Sequence, residues 1–505
     1  MTEPDAAPIL HLSDLFSALE VVRIVNADDP QITAIANDSR HVAPGALFVA
    51  VRGVKADGHG FIAQALAAGA AAIVCEEMPA DAAGRPVVLV ADARVALSAL
   101  ADRFYGRPSS QMRMTGITGT DGKTSTTELL RTILNEAGRP AGSVGTLGVC
   151  MGGRWVDTDL TTPDPITLHS VFRRMADAGL SDVCMEVSSH SLIQQRVAHI
   201  NYDAAVLTNI TRDHLDTHGT QENYARAKRL LFEGLGHDAV AVLPADSKFC
   251  EPFREATQAQ VLTFGMRNLA DVRGRICTLG MDGMEIMIRT PFETYSVNTP
   301  LIGSYNCLNI LAAATVAFAY DIGGEVVKEA MRNFRGVPGR LERVTADGRT
   351  DLPTVCVDFA HTPDALEKVL TTLRPLVKGR LVCVIGCGGD RDAGKRPVMG
   401  RIAAERADVA VLTADNSRSE RTEDILAQMV AGIPDGRHNV HVEPDRRRAM
   451  QLALELAPSP DSMVAICGRG CERHLKLGAE KIPFDDRVVA RELMDQMPQT
   501  RRMTA

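Results

Sequence analysis

No run in this 505-residue sequence approaches the roughly 18 consecutive apolar residues of a membrane-spanning helix. The opening Met1-Thr2-Glu3-Pro4-Asp5 has neither the basic start nor the apolar middle of a secretory signal. A cytoplasmic protein without a membrane span is the resulting expectation. Positive charge is also in short supply: 55 basic against 63 acidic residues leave a net charge of −8, which argues against a general nucleic-acid surface. Any substrate phosphate must then be met by local basic groups. Internal repeats and low-complexity tracts are missing. The eleven cysteines are an odd number, several of them inside apolar runs such as Leu381-Val382-Cys383-Val384-Ile385. They are expected to be small buried hydrophobes in a reducing compartment, without disulfides. Cys383 with Cys387, and Cys467 with Cys471, lack both the CxxC knuckle and nearby paired histidines, so no zinc site is expected.

The length suits about three domains, each with its own core. Short apolar runs (Ala46-Leu47-Phe48-Val49-Ala50-Val51 and Ala71-Ala72-Ile73-Val74) alternate with an alanine-rich helical stretch over 61–69, which predicts a small α/β domain over 1–107. Gly106-Arg107-Pro108-Ser109-Ser110 breaks the chain before the next strand. A central domain is expected over 108–338, ending at the punctuated joint Val337-Pro338-Gly339-Arg340, and a doubly wound α/β domain over 339–505. In that last segment apolar strands alternate with helical patterns.

Thr115-Gly116-Ile117-Thr118-Gly119-Thr120-Asp121-Gly122-Lys123-Thr124-Ser125 is a glycine-rich turn ending in Lys-Thr at the start of a helical run. Gly119 and Gly122 let backbone N–H groups converge on anionic oxygens, Lys123 supplies a point charge, and the Thr124 hydroxyl can hold a nucleotide-bound magnesium ion. ATP or GTP is the expected ligand. Gly116 stands one residue too far from Gly122 for the common GxxxxGK[ST] spacing. The apolar runs ending at Glu186-Val187 and at Leu207-Thr208 place polar residues at the carboxyl edge of a parallel sheet, which directs Glu186 and His214 toward the nucleotide. Taken singly, Glu186 also fits an ordinary strand-end carboxylate, His214 a hydrogen-bonded loop histidine, and Lys228 a solvated helix lysine.

The ordered set of motifs resembles the Mur ligases, in particular the branch that adds the third residue of a peptide. It comprises Asp38-Ser39-Arg40, the loop around Gly119 to Lys123, Thr161-Thr162-Pro163-Asp164, Glu186-Val187-Ser188-Ser189-His190 and Arg212-Asp213-His214-Leu215-Asp216. Ala227-Lys228-Arg229, Asn306 with Asn309, Gly339-Arg340, Asp358 with His361-Thr362-Pro363-Asp364, Gly386-Cys387-Gly388-Gly389-Asp390-Arg391 and Asp415-Asn416-Ser417-Arg418 complete it. The resemblance implies that ATP phosphorylates a glutamyl γ-carboxylate of a UDP-N-acetylmuramoyl dipeptide and that an amino acid's amine then displaces phosphate. It implies ATP contacts at Gly119, Thr120, Asp121, Gly122, Lys123, Thr124, Ser125, Asn306, Arg340 and Asp358. Two magnesium ions would be held by Thr124, Glu186, His214 and Lys228, the last as a carbamate, with Lys123, Glu186, His214 and Lys228 as the catalytic set. Ser39 and Lys55 match positions that hold the uridine diphosphate, and Thr161, Thr162, Ser188, Gln194 and Arg196 match those facing the sugar-peptide. Phe359 stands where the family pattern often has tyrosine.

For the incoming amino acid the resemblance points to Arg391, Asp415, Asn416, Ser417, Arg418, Gly468 and Glu472. A guanidinium at 418 suits the far carboxylate of meso-diaminopimelate and would repel the ammonium of lysine, so diaminopimelate is expected, with L-lysine or another diamino acid as the alternative. The usual Asp-Asn-Pro-Arg is here Asp415-Asn416-Ser417-Arg418, and the usual Gly-Lys-Gly-His-Glu is Gly468-Arg469-Gly470-Cys471-Glu472. Folylpolyglutamate-type ligation and a nucleotide-dependent switch are the rival readings. The expected partners are small molecules, no nucleic acid, and the chain is expected to be a monomer.

Overall fold

The computed structural model describes residues 8–16, 19–53, 56–211, 213–267 and 269–498; Lys55 and Arg212 lie outside them. Three sheets organise the chain, as expected of a three-domain α/β protein. The first has five strands. Ala34–Ala36, Ala46–Val49, Ala72–Cys75 and Val87–Val90 run parallel, and Val21–Val25 pairs antiparallel at the edge. Strands such as Ala46–Val49 and Ala72–Cys75 are buried along their whole length, which is why they read as unbroken apolar runs rather than as alternating ones.

The central sheet has eleven strands and carries the phosphate loop. Strand Arg113–Thr118 lies between Asp182–Glu186 and Ala204–Leu207, all three parallel. The carboxyl ends of these neighbours therefore open on one edge: the loop from Gly119, the Glu186 side chain, and Thr208-Asn209. The chain first moves outward to Ala141–Gly145, returns to Asp182–Glu186 and then crosses to Ala204–Leu207, so the strand order reverses at the phosphate-loop strand, where ligands of open α/β sheets gather. Helix Ser304–Ala319 covers one face of this sheet and is buried almost all round. That burial explains its nearly continuous apolar sequence. Its two asparagines, Asn306 and Asn309, face the loop end.

The C-terminal sheet has six strands in the order Glu342–Val344, Thr354–Asp358, Met463–Cys467, Leu381–Ile385, Val409–Leu412, Val440–Val442, parallel except for the first. Apolar clusters cover both of its faces. Nine of the eleven cysteines are buried, but Cys277 is exposed and Cys471 half-buried, so the expectation of uniformly buried thiols fails at these two. Cys277 sits on Val272–Gly280 in the antiparallel extension of the central sheet, where several side chains meet solvent. Among the described residues no helix is long and apolar enough to cross a membrane.

Helix Ala93–Phe104 of the first unit packs on helix Pro165–Asp177 of the second, and His199 N–H donates to Ser98 Oγ at 3.2 Å. Their contact buries His169 completely, with Nδ1 at 3.5 Å from Asp102 Oδ1. Burial pushes His169 down to about 3 and Asp102 up to about 6. The two act in opposite directions. His169 is held neutral, so its contribution is complete above its ordinary 6.5 and is lost as pH falls toward 3. Asp102 destabilises above 6 as a carboxylate, and that penalty is relieved as pH falls to 3.8. Asp102→Asn removes the relief. The variant's stability advantage over wild type is expected to shrink by about 2 kcal/mol between about pH 7 and about pH 4, read from urea unfolding; parallel pH curves would dismiss the assignment.

Candidate functional site

The phosphate loop is shaped by backbone geometry that only glycine accepts cheaply. Gly119 has φ +147° and Gly122 φ +84°. A Cβ at Gly119 would stand 1.9 Å from Thr208 Oγ1, and one at Gly122 2.3 Å from Asn309 Oδ1. The loop is pinned from the neighbouring strand end: Thr120 N–H donates to Asn209 O, Asp121 N–H to Asn209 Oδ1 at 3.0 Å, and Thr208 Oγ1 to Asp121 O at 2.6 Å. Helix Lys123–Glu136 starts directly after Gly122, so the first-turn amides of Lys123, Thr124 and Ser125 have no acceptor within the helix and point at the loop's concavity. Lys123 Nζ folds onto Gly119 O and Thr120 O at 3.0 and 2.8 Å. Gly119→Ala, which adds a strained φ as well as the clash, is expected to weaken nucleoside triphosphate binding about 10- to 100-fold by calorimetry. Gly236→Ala, whose Cβ would meet nothing within 4 Å, serves as control, and equal affinities in the two variants would count against the loop.

Glu186 is buried at the end of its strand and joins several elements. It accepts from Thr146 N–H at 2.7 Å, Thr146 Oγ1 at 3.1 Å and Thr124 Oγ1 at 3.0 Å. Arg340, from the C-terminal side of the joint, donates Nη2 to Thr124 Oγ1 at 3.2 Å and stacks over Phe359 at 4.5 Å. The phenylalanine thus supplies the ring face, for which a tyrosine hydroxyl is not needed. Asp358 is buried and accepts from the N–H groups of Leu341 and Ala360 at 2.7 and 2.8 Å, with burial raising its carboxyl. Asn306 is brought to the loop through Asn309, whose Nδ2 donates to Asn306 Oδ1 at 3.0 Å.

Lys228 is not a solvated helix lysine. Only 1 % of it is exposed, Nζ donates to Gly119 O at 2.8 Å and lies 4.4 Å from the Tyr224 ring centre. Burial first, then the positive charge of Lys123, hold its amine well below the usual range, against opposing pulls from Asp213 and Asp121. Both effects favour the neutral form of the amine against the phosphate loop. His214, at φ +52°, stacks edge-on with His190 at 4.9 Å. Partial burial lowers its imidazole, Asp213 opposes this, and both Lys123 and Lys228 reach it electrostatically.

The residues matched to the sugar-peptide also converge here. Thr161 Oγ1 meets Thr146 Oγ1 at 3.3 Å, Thr162 Oγ1 donates to Glu186 O at 2.8 Å, and Ser188 N–H donates to Thr162 Oγ1 at 3.1 Å. Arg196 spans Thr162 O and Gln194 Oε1 at 3.0 and 2.6 Å, and burial lowers its guanidinium. Ser39 stays in the first unit, its hydroxyl bonded to Gln64 Oε1 at 3.0 Å.

A second cluster occupies the carboxyl edge of the C-terminal sheet. Asp415, Asn416 and Ser417 are buried, which rules out a solvated surface turn. Asn416 Nδ2 donates to Glu472 Oε2 at 2.7 Å, and burial raises the Glu472 carboxyl. Arg418 Nη1 donates to Gly389 O and Asn416 O at 2.7 and 3.3 Å. Gly468 has φ +110° and closes on Asp415, while Arg391 is exposed and, among the described residues, bonds its neighbour's carbonyl alone, Asp390 O, at 3.2 Å. Sequence reading overlooked Thr146, Asn209 and Lys368, whose Nζ reaches Asp121 Oδ2 of the phosphate loop at 3.1 Å. Asn209 alone had a usable signal, as a polar residue just past an apolar strand.

Three family descriptions match the chain: Mur ligase family, catalytic domain, over 31–105; Mur ligase middle domain over 117–317; and Mur ligase, glutamate ligase domain, over 339–470. The chain is 43% identical to the UDP-N-acetylmuramoyl-L-alanyl-D-glutamate--2,6-diaminopimelate ligase of Geobacillus kaustophilus (strain HTA426) over 95% of this chain and 99% of that one. A protein of the same name from Listeria monocytogenes serotype 4b (strain F2365) is 40% identical over 95% and 98%. A solved structure of a protein of that name superposes with a TM-score of 0.65 at 31% identity, covering 92% of this chain and 95% of its own.

Proposed function

The chain belongs to the Mur ligase family, and from that premise we propose that it joins meso-2,6-diaminopimelate to the glutamyl γ-carboxylate of UDP-N-acetylmuramoyl-L-alanyl-D-glutamate. ATP drives the reaction. A carboxylate oxygen of the dipeptide attacks the γ-phosphorus and ADP leaves; the diamino acid's amine then attacks the acyl carbon, phosphate departs and the amine gives up a proton. The observation that carries this reading is one hydrogen-bonded line, Thr161–Thr146–Glu186–Thr124–Arg340, running from the sugar-peptide side across the phosphate loop to the C-terminal unit. The line links elements of the central and C-terminal units around the phosphate loop.

Two anions must approach in the first step, which costs far more in a dry cleft than in water. Lys123 and the first-turn amides of the loop would neutralise the β- and γ-phosphates, Arg340 would add a second cation from the C-terminal side, and Asn306 and Asp358 would hold the nucleotide there. Arg196, with Ser188, Gln194, Thr161 and Thr162, would orient the dipeptide, and Ser39 with Lys55 its uridine diphosphate. The donor set suits magnesium: a buried carboxylate at Glu186, a hydroxyl at Thr124, the imidazole of His214, and at Lys228 a neutral amine able to add carbon dioxide and become an anionic oxygen ligand. When bound, the ions would offset phosphate charge as the carboxylate approaches.

Arg391, Asp415, Asn416, Ser417, Arg418, Gly468 and Glu472 would receive the diamino acid. We take the functional units as 1–107, 108–338 and 339–505, and the enzyme as a cytoplasmic monomer. The deciding experiment measures phosphate release with each substrate omitted. Release that requires ATP, the UDP-muramoyl dipeptide and meso-diaminopimelate together, with the tripeptide product in the mass spectrum, supports the reading. Basal hydrolysis indifferent to both acceptors would favour a switch protein, and turnover with lysine alone would move the specificity.

A further inference from the structure

Behind the C-terminal cluster lies a buried charged group to which no reactant has been assigned above. Arg446 opens helix Arg446–Leu456, Asp486 opens helix Asp486–Gln496, and both side chains are 0 % exposed. The pairing is bidentate, Nε to Oδ1 at 2.8 Å and Nη2 to Oδ2 at 2.6 Å. The remaining donors go to two strand ends. Nη1 binds Ala414 O and Nη2 binds Cys467 O, each at 3.0 Å. Ala414 and Cys467 are the residues immediately before 415–418 and 468–472, the two loops that supply the amino-acid cluster.

A second fully buried arginine continues the network. Arg469 Nε lies 3.8 Å from Asp486 Oδ1, Nη2 donates to His474 O and Phe484 O at 2.7 and 3.2 Å, and Nη1 donates to Asn416 Oδ1 at 3.2 Å. Lys476 N–H donates to the same Asn416 oxygen at 2.8 Å. With its oxygen held by two donors, the Asn416 amide can turn only its NH₂ toward Glu472. A planar fork serves this purpose as a point charge cannot, because it fixes the direction of each bond.

We propose that Arg446, Asp486 and Arg469 are positioning residues for the third-residue pocket: the Arg446–Asp486 pair sets the separation of the two pocket loops, and Arg469 sets the orientation of Asn416 against Glu472. The inference rests on the pocket assignment made above. Buried ion pairs are weak evidence for stability, and their best-attested use is to fix one arrangement among several. Here the arrangement fixed is that of two loops joined to different strands.

The test uses the full-length enzyme with two variants. Arg446→Lys keeps the charge facing Asp486 but loses the fork; Arg469→Met keeps the stem and removes the donors to Asn416. Each is expected to raise KM for meso-diaminopimelate about 10- to 100-fold, the scale of a misplacement near 1 Å, while KM for ATP and for the UDP-muramoyl dipeptide, and kcat at saturation, stay within about threefold. An unchanged diaminopimelate KM, or an equal rise in all three KM values, overturns the proposal. Should Arg446→Lys fail to fold, Arg469→Met decides alone. Arg418→Ala separates the two layers of inference. If it leaves the diaminopimelate KM unchanged, the pocket itself is misassigned; if it raises that KM while both positioning variants do not, only the positioning role falls.

Discussion

Lys228→Ala is expected to lower kcat by about a thousandfold or more, the scale of losing charge stabilisation at a phosphoryl-transfer centre, while KM for the dipeptide changes little. The argument starts from burial. An ammonium at this position would lose its hydration, and among the described residues Gly119 O is its one hydrogen-bond partner, with the Tyr224 ring as a further contact. Its charged form is therefore disfavoured, with Lys123 adding to the effect. A neutral amine is the form that adds carbon dioxide: the nitrogen lone pair attacks carbon, a proton is released, and the residue changes from a potential cation to an anion. That anion would face the phosphate loop at Gly119, within electrostatic reach of His214, and would offer oxygen ligands to a hard metal ion.

Two further results separate this from simple loss of packing. Acetate or formate supplied to Lys228→Ala is expected to restore part of kcat, because a small carboxylate can enter the space left by the side chain. In wild type, carbon-13 bicarbonate is expected to give a carbamate resonance that the variant lacks. Activity within a few-fold of wild type for Lys228→Ala would remove the residue from the chemistry.

How much of this could be read from sequence depends on how local each feature is. The phosphate loop is legible because its parts are contiguous: Gly119, Gly122, Lys123 and Thr124 act through a single turn and the helix that follows. The parallel strands are legible for a similar reason, since burial on both faces leaves unbroken apolar runs at Ala204–Leu207 and Leu381–Ile385. Lys228 was half-legible. On helix Gln221–Glu233 the buried residues Tyr224, Ala227, Lys228 and Leu231 follow i, i+3, i+4, i+7, so helical periodicity places the lysine on the apolar stripe although its residue type argues for solvent. Arg446 was not legible at all. Its partner is 40 residues away, its acceptors are backbone carbonyls, and three consecutive arginines read as a solvated helix start. The same distance problem hid Lys368, which meets Asp121 across the joint between units.

Arg418→Ala is expected to lower kcat/KM for meso-diaminopimelate by about 10² to 10³, and to shift the preference over L-lysine by the same order, as losing one partner of a desolvated charge pair does. The geometry gives the direction. One edge of the guanidinium is committed: Nη1 donates to Gly389 O and Asn416 O at 2.7 and 3.3 Å. Those bonds, with the backbone held at φ +53°, fix the plane of the side chain. Among the described residues the other edge, Nε and Nη2, has no hydrogen-bond partner in the protein, and a carboxylate is the group whose two oxygens match it. Diaminopimelate brings such a carboxylate at its far end, whereas lysine brings an ammonium that the same cation repels. On that assignment, removing the arginine would take away an attraction for one substrate and a repulsion for the other. Arg418→Lys distinguishes charge from shape: it retains a cation but not the fork, so diaminopimelate use should recover only in part while lysine stays excluded. Full recovery would make charge sufficient, and undiminished diaminopimelate kinetics in Arg418→Ala would place the far carboxylate elsewhere.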